Sequence, residues 1–401
     1  MHRISATPVQ LAGKPYGQTR AFQGYLKAWE KMGRHIGRTV EVEATSPRSS
    51  GAIKHRRIQQ TWPEGQEFRI LSIDGGGIRG IFPAAFLAGL EERFLGGASV
   101  AQCFDLIAGT STGGIISLGL GAGLTAAELR DLYISRGREI FPPQHWLGHF
   151  LENIRQYFLY RYDRDALLRV LDETFGQKTF GESKSRLCIP SFEGRHSEVY
   201  IFKTPHHPDY YKDRRERMVK VGTATSAAPT FYRPLEDGGF TFVDGGVWCN
   251  DPTMVGLVDA MACFAVPRER IRILSLGCGG SLYTVGESQK KRGGLLAWKD
   301  IILAAMRLQS INAQGQAGLL LGADRIVRVD APENENPIRL DDYVRASREL
   351  PMAASNALEE HGETVAALFL QEPAMPYIPH SLDLSNDNRP GLKPGNGDNS
   401  K

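Results

Sequence analysis

Residues 68–80 read FRILSIDGGGIRG, and residues 104–114 read FDLIAGTSTGG. Each is a short apolar run of β type that breaks at glycine and opens into a helical pattern. Phe68–Ile73 reads as a first strand, with helix from about Phe82 to Phe94. Phe104–Ala108 reads as a second strand, with helix from about Gly114. Strands that alternate with helices in this way imply an α/β fold with a mostly parallel central sheet flanked by helices. Reactive groups then belong at the carboxyl ends of the strands. The pattern continues outward. Thr125-Ala-Ala-Glu128 has capping-box spacing, so a helix runs from Ala126 towards Ile140. Further strands are predicted at Leu187–Pro190, Glu198–Phe202, Phe240–Val243, Arg272–Leu276 and Arg325–Val329. A long helix, about Leu295 to Leu321, and a last one, about Ala353 to Leu370, complete the pattern.

Three stretches carry chemistry. Gly109-Thr-Ser111-Thr-Gly113 is a G-x-S-x-G placed between strand and helix, the context of a nucleophile elbow. Gly109 and Gly113 relieve crowding around a serine on so tight a turn, and the helix N-terminus favours a nearby oxyanion. A plain Gly/Ser/Thr turn ahead of a helix has the same letters. In Asp74-Gly75-Gly76-Gly77-Ile78-Arg79-Gly80, three glycines free backbone N–H groups to converge on an anion, and Arg79 adds a fixed charge. Two functions fit: an oxyanion hole for acyl transfer, or phosphate binding, since Gly75-x-Gly77-x-x-Gly80 also matches the dinucleotide fingerprint. The fingerprint requires an acid at the end of a second strand about 20 residues on. Here that region is helical, with Glu91 and Glu92 inside it. Asp244-Gly245-Gly246 follows a strand and can project a carboxylate, although Asp-Gly is also a common turn. A histidine base would have to be His361, inside an apparent helix, or one of His145, His149, His196, His206 and His207, none with a matching signature. The alternative is Asp244 as the direct base for Ser111, its basicity raised by the site.

Composition sets the limits. The chain has 401 residues, 41% hydrophobic and 23% charged, with a net charge of +3, which excludes wholesale disorder and argues against a dedicated nucleic-acid binder. Residues 1–66 hold eleven basic and four acidic residues, so a +7 arm precedes a −4 remainder. We read 1–66 as a flexible basic extension, 67–377 as the catalytic domain with a helical C-terminal part, and 378–401 as a disordered tail. Glycine is abundant, 44 of 401 residues or about 11% against a usual ~7%. Nine of the glycines cluster in and beside the three stretches above, and others stand at element ends. The five cysteines are widely spaced with no CxxC pair, which predicts a reducing compartment and no structural zinc. No metal or cofactor is expected. The longest apolar runs are about half the ~20 residues of a membrane-spanning helix, so a cytoplasmic protein is predicted. Gln144–Tyr162 is rich in aromatics and reads as a lid, a membrane contact or packed core. Arg214, Arg215, Arg217 and Lys220 read as a charged loop or as nucleotide contacts.

The ordered trio GGGIRG at 75–80, GTSTG at 109–113 and DGG at 244–246, with ATSAAPTFYRP at 224–234, resembles the patatin-like phospholipase family over about residues 68–330. The resemblance implies a lipid acyl hydrolase with a Ser-Asp dyad. Ser111 is then the nucleophile and Asp244 the general base. Gly75, Gly76 and Gly77 form the oxyanion hole, supported by Arg79, while Gly80, Gly109, Gly113, Gly245 and Gly246 complete the motifs. Its implied partner is membrane phospholipid at the inner membrane surface. The spacing is also similar to that of bacterial members acting in cyclic-oligonucleotide-triggered (CBASS) antiphage defence, which implies a cyclic dinucleotide activator. An oligomer is compatible with this; a nucleic-acid polymer is not an expected partner. Two other readings stay open: a His-dependent α/β-hydrolase of small soluble esters, and a non-enzymatic nucleotide- or anion-binding protein.

Overall fold

Parallel strands buried on both faces need continuous apolar runs, and Phe68–Ile73 (β1), fully buried along its length, is such a run. A computed structural model describes residues 56–142, 160–280, 301–332 and 336–380. Most of the basic extension, of Gln144–Tyr162 and of the C-terminal tail therefore lies outside the described residues, as does the start expected at Leu295 for the long helix. Strand β1 pairs in parallel with Leu106–Gly109 (β2) on one side and with Ile271–Leu276 (β7) on the other. Ile326–Val329 (β8) extends the parallel set beyond β7. Leu187–Glu193 (β3) makes the transition to antiparallel pairing. Its start, at Leu187 and Cys188, runs parallel to β2, and its end, at Ser191–Glu193, pairs antiparallel with Phe240–Asp244 (β6). Glu198–Lys203 (β4) and Leu235–Asp237 (β5) add antiparallel partners to β3 and β6. The eight strands follow the order β5-β6-β3-β2-β1-β7-β8, with β4 on β3. The expected mostly parallel centre is present, with an antiparallel flank.

Alternation along the central strands divides the interior into two cores. Leu71 and Ile73 of β1, with Leu274 and Leu276 of β7, face a core shared with Ile81–Phe94 (α1), Thr112–Ala122 (α2), Ala126–Ile140 (α3) and Tyr343–Phe369 (α8). Phe68 and Ile70, with Ile271 and Ile273, face a second core under Thr253–Cys263 (α6) and Ile301–Leu321 (α7). Asp165–Phe175 (α4) and Met218–Thr225 (α5) complete the helices that bear on the site. The Thr125 capping box is present, with its hydroxyl accepting the Glu128 N–H. Helix α8 begins ten residues ahead of the expected Ala353, at Tyr343, capped by Asp342. Pro351 lies inside it, and an interior proline, which removes a backbone donor, reads in sequence as a boundary. Ahead of β1, Gln60 bridges to Phe264, and Trp62 packs against Phe68. Among the described residues, no helix is long and apolar enough to cross a membrane.

Candidate active site

Ser111 sits where β2 turns into α2, with φ +53° and ψ −118°. A non-glycine residue on that side of the map costs about 1–3 kcal/mol and persists only where its surroundings hold it. Here they do. The Ser111 N–H donates to Thr225 Oγ1 at 3.0 Å, and the Thr225 hydroxyl donates to the Pro190 carbonyl at 2.6 Å. The Ser111 carbonyl accepts the Ile115 N–H at 3.0 Å and so opens α2. The turn closes because Gly109 and Gly113 lack side chains. A Cβ on Gly113 would collide with the Ile73 carbonyl, and one on Gly109 with the Gly113 carbonyl.

Asp244 ends β6, buried, with Oδ2 accepting the Ser111 hydroxyl at 2.7 Å and Oδ1 accepting the Gly246 N–H at 2.6 Å. Gly245 packs its Cα against the Pro190 carbonyl, where a Cβ would clash. Burial pushes the Asp244 carboxyl up to about 6, against the opposing effect of those two hydrogen bonds. Such a carboxylate is ionised at neutral pH yet more basic than an ordinary aspartate, which suits it to accept a hydroxyl proton. Strand β3 arranges the encounter: its first residues hold β2, which leads into Ser111, and Ser191 near its other end pairs with Asp244.

The glycine loop lies beside the serine. Gly75 is so close that a Cβ would fall 3.4 Å from the Ser111 Cβ. Its N–H, however, donates to the Asn250 carbonyl at 3.0 Å, so Gly75 is not a free donor. The N–H groups of Gly76 and Gly77 have no partner among the described residues. Gly77 takes φ +58°, with its Cα against the Leu340 carbonyl. Arg79 acts from behind. Its N–H and its Nε both donate to the Gly76 carbonyl, at 3.2 and 3.3 Å. In a trans peptide the N–H points opposite to the C=O, so Arg79 orients the Gly77 N–H by holding the Gly76 oxygen. Gly80 lets this loop meet Thr112, whose hydroxyl is bonded to Tyr133 at 2.5 Å.

A family model described as patatin-like phospholipase matches residues 71–257, which contain all three motifs. A curated relative from Pseudomonas aeruginosa, described as a cGAMP-activated phospholipase, is 32% identical over 79% of this chain and 93% of its own. The chain belongs to the patatin-like phospholipase family. It is thereby a hydrolase with the patatin fold. A Vibrio cholerae relative of the same description is 35% identical over 60% of this chain and 74% of its own. Among solved structures, VipD from Legionella pneumophila aligns with 77% of this chain and 70% of its own at 13% identity, with a TM-score of 0.39.

Among the described residues, no histidine hydrogen-bonds Ser111 or Asp244; His361 lies on α8 with Nε2 3.7 Å from Glu360, and His145 and His149 lie outside the described residues. Of the basic residues at 214–220, Arg217 is paired with Asp172 and Lys220 with Glu216 and Asp237. Several supporting residues escape sequence reasoning. Thr225 belongs to the 224–234 stretch but carries no signal for its bond to Ser111. Arg328 grips both oxygens of Asp74 at 3.0 and 2.8 Å, and also meets Asp330 and Ser275, fixing the residue that precedes the glycine loop. Burial raises the Asp74 carboxyl and Arg328 opposes this. Cys188, His206 and Asp259 each bring a possible metal-ligand atom within 4.8 Å of the others. Lys203 and Tyr210 already bond Asp259 there, so a cation would have to displace an ammonium.

Proposed function

We propose that this chain is a phospholipase A-type lipid acyl hydrolase that cleaves membrane phospholipid esters at the inner membrane surface and is switched on by a cyclic dinucleotide of the cGAMP class. The observation that carries the reaction is the 2.7 Å bond from the Ser111 hydroxyl to Asp244 on the strained turn. In the reaction, Asp244 takes the Ser111 proton as Oγ attacks the ester carbonyl. The tetrahedral oxyanion is held by the Gly76 and Gly77 N–H groups, which Arg79 keeps in position. Collapse expels the lysophospholipid, whose oxygen takes the proton back from Asp244. Water, deprotonated by the same carboxylate, then attacks the acyl-enzyme, and collapse frees the fatty acid while Ser111 Oγ takes the proton back from Asp244. The names of the Vibrio and Pseudomonas relatives support the activator.

The test is release of fatty acid from phospholipid vesicles, with and without a panel of cyclic dinucleotides. Wild type is expected to hydrolyse and to accelerate with cGAMP; Ser111→Ala and Asp244→Asn are expected to be inactive while folded. Full hydrolysis by Ser111→Ala would overturn the assignment. A rate indifferent to every cyclic dinucleotide would remove the activator and leave the hydrolase.

A further inference from the structure

The parallel strands β1, β7 and β8 end side by side, and the segments that follow them separate. Between them lies a cavity of about 100 Å³, well above the ~10–15 Å³ that one water needs. Its walls are largely apolar, from Ala331, Pro332, Ile338, Leu350 and Ala353, with Glu349 also among the lining residues, and the glycine-rich segment after β7, Gly279-Gly280, forms its rim. Arg79 also lines it.

The charge on Arg79 is not neutralised. Its Nε reaches the Gly76 carbonyl, and its two Nη atoms have no hydrogen-bond or ion-pair partner among the described residues. The nearby acids are committed elsewhere. Asp74 is held by Arg328, Asp330 by Arg328 and the Gly279 N–H, and Glu349 by Arg345 and Arg348. A second guanidinium stands at the rim: Arg307 Nη1 lies 2.9 Å from where a Cβ on Gly280 would be. A positive charge among largely apolar walls, whose Glu349 carboxylate is already held by two other arginines, is costly without a counter-ion, and guanidinium forks match tetrahedral oxyanions in shape and charge. The crevice at the carboxyl ends of adjacent parallel strands is also where α/β sheets bind ligands.

We propose that this cavity is a subsite for a phosphate group, read by Arg79 with Arg307 at its rim. The phosphate has two sources of the same chemistry: the phosphodiester of the lipid substrate, or a free or nucleotide phosphate. Only the first rests on the proposed function.

The test has two arms, both on the full chain. In the first, inorganic phosphate is titrated against chloride at matched ionic strength and followed by calorimetry and thermal unfolding. Saturable binding is expected in wild type, weakened about tenfold or more, equivalent to about 1.4 kcal/mol, in Ala353→Phe, which fills the cavity, and in Arg307→Gln. Arg307→Gln guards against a failure of the larger side chain to fold. In the second arm, kcat/KM is compared for vesicles of phosphatidylcholine and of phosphate-free diacylglycerol. A fall of about tenfold in that ratio for both variants identifies the substrate phosphodiester. Weakened phosphate binding with an unchanged ratio identifies a free phosphate. An unchanged ratio, together with phosphate binding that is absent in wild type or equal in wild type and both variants, overturns the subsite. An enzyme inactive on every lipid removes the second arm and the proposed function, and the first arm then decides alone.

Discussion

Replacing Asp244 by asparagine should make the protein inactive and, at alkaline pH, more stable. The carboxyl lies at about 6 in the folded protein against an ordinary 3.8. The folded state therefore binds this proton more tightly than the unfolded chain does. Between pH 3.8 and about 6 the folded state holds more protons, so stability falls as pH rises through that window. A shift of about two units at 1.36 kcal/mol each is about 3 kcal/mol. That destabilisation is complete above about pH 6 and absent below 3.8. Asparagine cannot ionise and escapes it. Its carbonyl can still accept the Gly246 N–H, while its amide can donate to the Ser111 oxygen, so the neighbouring geometry survives. The assay is urea unfolding of wild type and Asp244→Asn at about pH 3 and about pH 8, either side of that window. The stability difference between the two proteins should change by about 3 kcal/mol between those conditions, in favour of the variant on the alkaline side. Using a difference of differences cancels every effect of the substitution that does not depend on pH. Parallel pH profiles for the two proteins would refute the argument that burial raises this carboxyl.

Other expectations follow from the same geometry. For wild type acting on a soluble ester, kcat/KM should fall about tenfold per pH unit below about 6, as the Asp244 base becomes protonated, and a profile flat to about pH 5 would count against Asp244 as base. Thr225→Val leaves the Ser111 N–H without its acceptor and should cost about 1–3 kcal/mol in unfolding experiments, with kcat falling more than KM changes. Arg328→Met strands the buried Asp74 carboxylate and should cost about 3–5 kcal/mol by denaturant titration. Gly113→Ala places a methyl against the Ile73 carbonyl and should abolish accumulation of folded protein, whereas Gly315→Ala, with open space around it, should be accepted.

What can be read from sequence is what is local. Strands β1 and β2 are recognisable because each is a buried apolar run cut by glycine, and Ser111 because its flanking glycines are within two residues. Asp244 is legible only through its motif and its strand. The partners that make these residues work are distant in the chain. Arg328 grips Asp74 from 254 positions away, and Thr225 supports Ser111 from 114. The engagement of the Gly75 N–H by Asn250 depends on how the segment after β6 folds back, and glycine spacing carries no trace of it. Helix α6 escapes the sequence reading because its burial in the second core leaves little polar alternation, and the start of α8 does so because Pro351 interrupts its pattern.

The shared strand β3 has a consequence for synthesis. Ser111 and Asp244 are 133 residues apart, and the carboxylate reaches the hydroxyl only after β6 has paired with the far end of β3. A nascent chain that has emerged only through β3 has Ser111 but not yet the carboxylate that accepts its hydroxyl proton. In the proposed reading, an enzyme that attacks its own cell's lipids is thus inert through the first half of its making, and becomes competent only when that later sheet pairing locks.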